Sequence, residues 1–351
     1  MTASAAVLMV AAAALLASLL LPFAVKPWLV RLGVLDMPSA RSSHTQPTIR
    51  GMGITVAVAL VAAMAVAVAA SPPSVAGING PVVLGACALV MAVAALIGWI
   101  EDFRGIAIKV RAVLQLGLGL LGSLVLALAI PGNNLWWVPA GAVAVAAYIN
   151  VANFMDGING ISGMHGLVVG AFYALAGVLT GHTWLVFAGV GIAAAFAGFL
   201  PWNLGRGNVF LGDVGSYLLG AAISITAVAA FFAKVPVEYI FSPVLIYLAD
   251  TFITLIRRIA SGERWYAAHR QHAYQRLVIV GLSHVQATAV VSAATVATSV
   301  LGVVSAQGGE GVTVAAGVVC AGVVLLYLRT PTIFQRLIRR RRAAAGPAAG
   351  M

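Results

Sequence analysis

Long apolar runs alternate with short polar segments along the whole chain. Eleven runs can be drawn, near residues 4–25, 51–70, 82–100, 112–130, 138–155, 161–180, 184–200, 217–233, 239–257, 283–305 and 312–328. Most approach the ~20 residues needed to cross a ~30 Å hydrocarbon core. Lipid offers no hydrogen-bond partner to a backbone, so runs of this kind predict helices. A membrane barrel would instead show short alternating segments. The expected fold is all-α: a polytopic integral membrane protein of about ten to eleven transmembrane helices. The fifth and seventh runs carry the weakest signal. Residues 1–330 are expected to form one transmembrane unit and residues 331–351 a basic tail. The first run could pass for a signal peptide, but no charged segment precedes it and basic residues follow it, so it is read as the first span.

Composition agrees with a membrane solvent. The chain is 62% hydrophobic and only 8% charged, against about 25% charged in an ordinary soluble domain. Cys87 and Cys320 both fall inside apolar runs and are read as packing residues. The net charge of +11 does not point to nucleic acid. Its basic residues sit in short segments between spans and in one run, Arg339–Arg342, that suits anionic lipid at the end of a last helix. Of the basic residues, only Lys234 falls between spans on the opposite side. The positive-inside rule makes the crowded side cytoplasmic, with the N-terminus outside and the C-terminus inside.

The acids share that side, which the rule does not require. Asp36, Glu101, Asp102, Asp156, Asp213 and Glu263 lie there; only Glu238 and Glu310 lie opposite, and Asp250 falls within the ninth run. Carboxylates gathered beside basic groups describe a magnesium and polyphosphate site. Four segments carry the candidate chemistry. Glu101-Asp102 ends the third run and is followed by Arg104, Lys109 and Arg111. Adjacent acids repel unless a cation shares their space, although interfacial charge on a helix end would look similar. Asn153-Phe-Met-Asp156-Gly-Ile-Asn159-Gly160 closes the fifth run; Asn153 and Asp156 share a helical face, and a polar turn is the alternative. Asn208-Val-Phe-Leu-Gly212-Asp213-Val-Gly215-Ser216 precedes the eighth run, with Asn203 and Arg206 upstream. There a carboxylate could simply favour a helix start or could hold metal. His269-Arg270-Gln-His272 lies in a long polar loop and resembles anion contacts more than a zinc motif, with a solvated basic loop as the alternative. A weaker segment, Arg41 to Gly53, adds His44 and further donors. His165, His182 and His284 are read as structural.

Taken in this order, these segments resemble the polyprenyl-phosphate N-acetylhexosamine-1-phosphate transferases, the glycosyltransferase family 4 group. The likeness spans roughly residues 41–281. The family's paired acids match Glu101-Asp102; its Asn-x-x-Asp-Gly segment matches Asn153 to Gly157; its Phe-x-Gly-Asp-x-Gly-Ser segment matches Phe210 to Ser216; its histidine-bearing loop matches His269 to His272. Three departures stand out. Glu101 replaces the usual first Asp, Asn159 replaces a second Asp found in many relatives, and the loop reads HRQHAYQR rather than the three-histidine form of the muramoyl-pentapeptide branch. The last feature is closer to members that build O-antigen or other surface glycans.

The resemblance implies a HexNAc-1-phosphate transfer from a UDP-sugar to undecaprenyl phosphate, giving UMP and the lipid diphosphosugar. It implies Mg2+, with Mn2+ as a substitute, held by Asp213 and Asp102, and a catalytic set of Asp102, Asp156 and Asp213. Arg41, His44, Lys109, Arg111, Asn153, Asn203, Arg206, Gly212, His269, Arg270 and His272 would bind substrate. The expected location is the bacterial cytoplasmic membrane, with the site facing the cytoplasm. The expected partners are UDP-N-acetylhexosamine, undecaprenyl phosphate and the bilayer, with no nucleic acid; a homodimer is compatible. The peptidoglycan transferase reaction is the runner-up. A transporter is the rival of another class, and Asp250 and His165 are its main support.

Overall fold

A computed structural model describes residues 2–33, 35–36, 48–72, 77–205, 209–263 and 269–344. Among these residues the protein is an all-α polytopic bundle in which eleven helical segments are long and apolar enough to cross a membrane. Every expected run is matched, including the fifth and seventh. In order the helices are α1 (Ala3–Arg31), α2 (Gly53–Ala70), α3 (Gly80–Arg104), α4 (Ile108–Ala129), α5 (Trp137–Met155), α6 (Ile161–Thr180), α7 (Thr183–Leu204) and α8 (Gly212–Phe232). They continue with α9 (Val237–Phe241), α10 (Leu245–Ala260), α11 (Ala273–Ile279), α12 (His284–Gln307) and α13 (Glu310–Ala344).

Four boundaries differ from the sequence reading in ways that matter. The third span continues to Arg104, so Glu101 and Asp102 sit in its last turn. The eighth begins at Gly212, which places Asp213 in the first helical turn rather than in a turn before it. The ninth is broken by a 3-10 turn, Ser242–Val244, between α9 and α10. The last helix does not stop near residue 328 but runs through Pro331 to Ala344. A two-residue ladder was also not anticipated: β1 (Leu35–Asp36) pairs antiparallel with β2 (Thr48–Ile49).

α8 is the hub. Most of its side chains are buried, and it packs on α3 and α5. Small residues allow these close approaches, as is usual where lipid supplies no hydrophobic drive between helices. At Gly98 of α3, an added Cβ would collide with the Asp213 carbonyl oxygen. Large exposed apolar side chains cover the outer helices α1, α4 and α13, as a lipid-facing surface requires. Aromatic residues mark both ends of the bundle. Trp28 stacks on Trp99 with ring centroids 5.9 Å apart near the end of α3, and Trp136 and Trp137 are exposed at the start of α5.

Candidate active site

The ends of α3 and α5 and the start of α8 meet at one end of the bundle. They bring together the three aspartates singled out by sequence. Asp102 reaches the N-terminus of α8, where its Oδ1 accepts from the Asp213 N–H at 3.0 Å and its Oδ2 from the Val214 N–H at 3.0 Å. It thereby satisfies amides that a helix start leaves without partners, and it lies in the favourable field of the helix dipole. Gly212 makes room for this. Its φ is +75°, and an added Cβ would lie 2.6 Å from Asp102 Oδ2 and 2.7 Å from the Gly51 nitrogen.

A guanidinium ties the two carboxylates. Arg50 Nε lies 2.6 Å from Asp102 Oδ1, and its Nη2 donates to Asp213 Oδ2 at 2.8 Å. The Asp102 side chain is fully buried, that of Asp213 is 16% exposed and that of Arg50 is 38% exposed. Two buried carboxylates in one pocket need such a countercharge. The chain places Arg50 through backbone pairing. Ile49 forms a parallel bridge with Val209, its carbonyl accepts from Phe210 N–H at 2.8 Å, and Gly53 N–H donates to the Leu211 carbonyl at 2.8 Å. Sequence reasoning passed over Arg50 as one donor among many. The available clue was its position just before Gly51-Met-Gly53, where a backbone lacking side chains can lie against another segment.

α5 adds the third acid. Asn153 Nδ2 donates to Asp213 Oδ1 at 2.7 Å and to Ser216 Oγ at 3.0 Å. Asp156, at the end of α5, accepts from Ser162 Oγ at 2.7 Å. Burial pushes the Asp156 carboxyl up to about 7. The Ser162 hydroxyl opposes that rise, the fields of Asp213 and Asp102 add to it, and Arg50 opposes it.

Other candidates are placed differently. Glu101 accepts from Ile106 N–H at 2.6 Å and lies 3.2 Å from Arg111 Nη1. It closes the α3–α4 turn, which accounts for a side chain longer than Asp, and it engages Arg111, which was expected to bind anion. Lys109 is exposed in the first turn of α4. Asn203 is engaged by backbone: its Oδ1 accepts from Gly160 N–H and its Nδ2 donates to the Val209 carbonyl, so it staples the α5–α6 and α7–α8 connections. Gly212 likewise meets Asp102 and Gly51, and its contribution is to packing. His269 and His272 lie with ring centroids 4.8 Å apart. Burial first, then His272 and Arg258, lower His269 to about 4. Arg270 is exposed. Arg41, His44 and Arg206 lie outside the described residues.

The three histidines read as structural are built into packing contacts. His165 stacks on Tyr247 at 3.5 Å and lies 2.8 Å from the Tyr148 hydroxyl. His284 Nδ1 accepts from Asn159 N–H at 3.4 Å, and His182 Nδ1 lies 2.9 Å from Thr180 Oγ1.

Among the described residues, no three His, Cys, Asp or Glu side chains converge to hold a metal unaided. A magnesium ion brought by a phosphorylated substrate would need only one or two carboxylates, with phosphate and water completing its shell. Asp213 has the accessible carboxylate. Asp102 stands behind it with both oxygens already accepting amides.

The geometry defines a polytopic membrane protein whose polar chemistry is gathered at one set of helix ends. The Glycosyl transferase family 4 model matches residues 83–231, which contain all three aspartates. The chain is 26% identical over 286 residues to a "Probable undecaprenyl-phosphate N-acetylglucosaminyl 1-phosphate transferase" of Bacillus subtilis (strain 168), covering 77% of this chain and 76% of the relative. It is 28% identical over 299 residues to the decaprenyl-phosphate N-acetylglucosaminephosphotransferase of Mycolicibacterium smegmatis, covering 73% and 71%. A shorter stretch of 124 residues, 35% of this chain and 37% of the relative, is 33% identical to a phospho-N-acetylmuramoyl-pentapeptide-transferase of Clostridium botulinum. The chain is thus similar to glycosyl transferase family 4 proteins across residues 83–231, and to the two long relatives across 77% and 73% of its length.

Proposed function

We propose that the protein transfers an N-acetylhexosamine 1-phosphate from its UDP-sugar to a polyprenyl phosphate, releasing UMP. The observation that carries this reading is the convergence of Asp102, Asp156, Asp213 and Arg50 at one end of the bundle. A lipid phosphate lies at the membrane interface and a nucleotide sugar comes from water. Helix ends are where the two can meet. The long relatives, which act on undecaprenyl or decaprenyl phosphate by name, support the lipid acceptor. A transporter would need its ionisable groups near mid-span. Asp250 comes nearest to that, and its carboxylate is engaged by backbone amides of α11.

In this scheme an oxygen of the lipid phosphate attacks the β-phosphorus of the UDP-sugar. The bond from that phosphorus to the bridging oxygen breaks, and UMP leaves. One pyrophosphate link replaces another, so the reaction is near energy-neutral, and the sugar C1–O bond stays intact. Phosphoryl transfer asks mainly for positioning and charge neutralisation. Asp213, with Asp102 behind it, would hold magnesium, which when bound supplies charge neutralisation at the diphosphate. Arg50 holds the two carboxylates together. Asn153 fixes the rotamer of Asp213. Asp156 is the better proton acceptor, since Asp102 is committed to the α8 amides. Its raised pKa suits removal of the last proton from a phosphate monoester, whose second pKa is ~6. In this scheme His269, His272 and Arg270 would meet the anionic nucleotide. The cytoplasmic membrane, with the site on its inner face, is the location this scheme requires.

Purified protein in detergent, polyprenyl phosphate, a panel of UDP-sugars and a UMP assay test the proposal. Release of UMP from one N-acetylated sugar, abolished by EDTA and restored by Mg2+ or Mn2+, is expected. Absence of lipid-dependent UMP release across the panel, or a product inverted at C1, overturns it.

A further inference from the structure

Asp250 is the acid that the proposed reaction leaves without a role. It lies within α10, wholly buried, where a carboxylate without partners would be costly. Its partners beyond its own helix come from two separate stretches of chain. Oδ1 accepts from Ala273 N–H at 2.9 Å, and Oδ2 from Tyr274 N–H at 3.4 Å, both at the start of α11. The Tyr327 hydroxyl of α13 donates to Oδ2 at 2.7 Å. His272 Nδ1 stands 3.4 Å from Oδ1. The other charged groups near this pair are Arg258 of α10 and Glu263, which form an ion pair at 3.4 Å, and His269.

The segment that Asp250 holds is also fastened to the aspartate site. Tyr274, two residues beyond His272, donates its hydroxyl to the Phe154 carbonyl at 2.9 Å. That carbonyl lies between Asn153 and Asp156 at the end of α5. Gly157 leaves room for the phenol, since an added Cβ would collide with the Tyr274 hydroxyl. The His272 ring, itself buried, lies 6.4 Å from the Phe154 ring. The Asp250 carboxylate faces the His272 ring on its Nδ1 side and biases how the buried ring sits.

We propose that Asp250 and Tyr327 form a buried clamp that positions His272 for substrate, which makes the last helix a working part of the site. Both are positioning residues. Tyr327 lies far outside residues 83–231, the part matched to the family. The inference rests on the proposed function in taking His272 as a contact of the sugar nucleotide.

Wild-type UMP release is measured first, and its absence counts against the proposed function alone. The clamp has an activity-independent readout in amide hydrogen exchange across residues 272–274. Tyr327→Phe removes one hydroxyl and is expected to raise exchange at Ala273 and Tyr274 at least ~10-fold, through easier local opening. Asp250→Asn should do the same, and if that variant does not fold, Tyr327→Phe carries the test. In turnover, Tyr327→Phe should lower kcat by ~10- to 100-fold, the scale expected of a misplaced reacting group. In a His272→Ala background the same change should cost nothing further. Unchanged exchange, or an undiminished loss in the His272→Ala background, overturns the clamp, because a merely structural tyrosine would act in both backgrounds alike.

Discussion

Asp213 and Arg50 fail in different ways when removed. Asp213 offers the accessible carboxylate, so Asp213→Ala should reduce UMP release by about 1,000-fold or more, at any practical magnesium concentration. Substantial residual turnover would remove it from the metal role. Arg50 bridges two acids with two nitrogens. Lysine keeps the charge but lacks that fork, so Arg50→Lys and Arg50→Ala should both lower kcat, by about 100-fold for alanine. Recovery of wild-type kcat by lysine would show that charge alone suffices. Asp156 gives a pH prediction with a definite sign. Its carboxyl is raised to about 7, and a base must be ionised, so kcat/KM should rise with pH through about 7. Ser162→Ala removes the donor that holds this value down, so the acid limb should move to higher pH; a limb that stays put or moves down excludes Asp156 as the base. The same shift makes the protonated form the one the fold favours. Its contribution to stability is therefore fully present below the ordinary carboxylate range and is lost as pH rises through about 7.

At the scale of elements, the site depends on how closely α3 can approach α8. Gly98 leaves no room for a methyl group against the Asp213 carbonyl, whereas Gly85 on the same helix has nothing within 4 Å of an added Cβ. Gly98→Ala should therefore push α3 outward and loosen Asp102 from the α8 amides, at a cost of ~1–3 kcal/mol in stability and a large loss of kcat. Gly85→Ala should leave both thermal stability and turnover near wild type, and a Gly98→Ala enzyme with normal activity would separate the site from this packing. The spans themselves were legible because lipid permits a long apolar run only one regular structure. What joins them was not. The pairing of residues 48–53 with 209–211, which delivers Arg50, is long-range and leaves no periodic trace. Asn203 looked like a substrate contact because a polar residue near a motif carries no mark of which way it turns. Asp250 looked like a transporter's mid-span charge because its partners, Ala273, Tyr274 and Tyr327, lie 23, 24 and 77 residues away in sequence.

For the molecule as a whole, the two ends of the bundle have opposite character, and that asymmetry sets its orientation. Asp102, Asp156, Asp213 and Arg50 gather at one end, along with the Trp28–Trp99 stack. The start of α5, where Asn134 and Trp136 are exposed or partly so, lies at the other. By the positive-inside rule, the basic residues in the segments that share the site's side would put that side in the cytoplasm, the orientation proposed above. A cysteine scan checks this in intact cells. Cys87 is buried and Cys320 lies within α13, so replacing both with Ser provides a background for single cysteines. Cysteine at Lys109, exposed beside the site, should resist a membrane-impermeant maleimide until the membrane is opened. Cysteine at Asn134 should label at once. The reverse pattern would place the carboxylates outside, where no nucleotide sugar is supplied, and would overturn both the orientation and the proposed donor. Labelling of both positions in intact cells would mean that the eleven-span crossing pattern itself is wrong, since one crossing, α4, separates them.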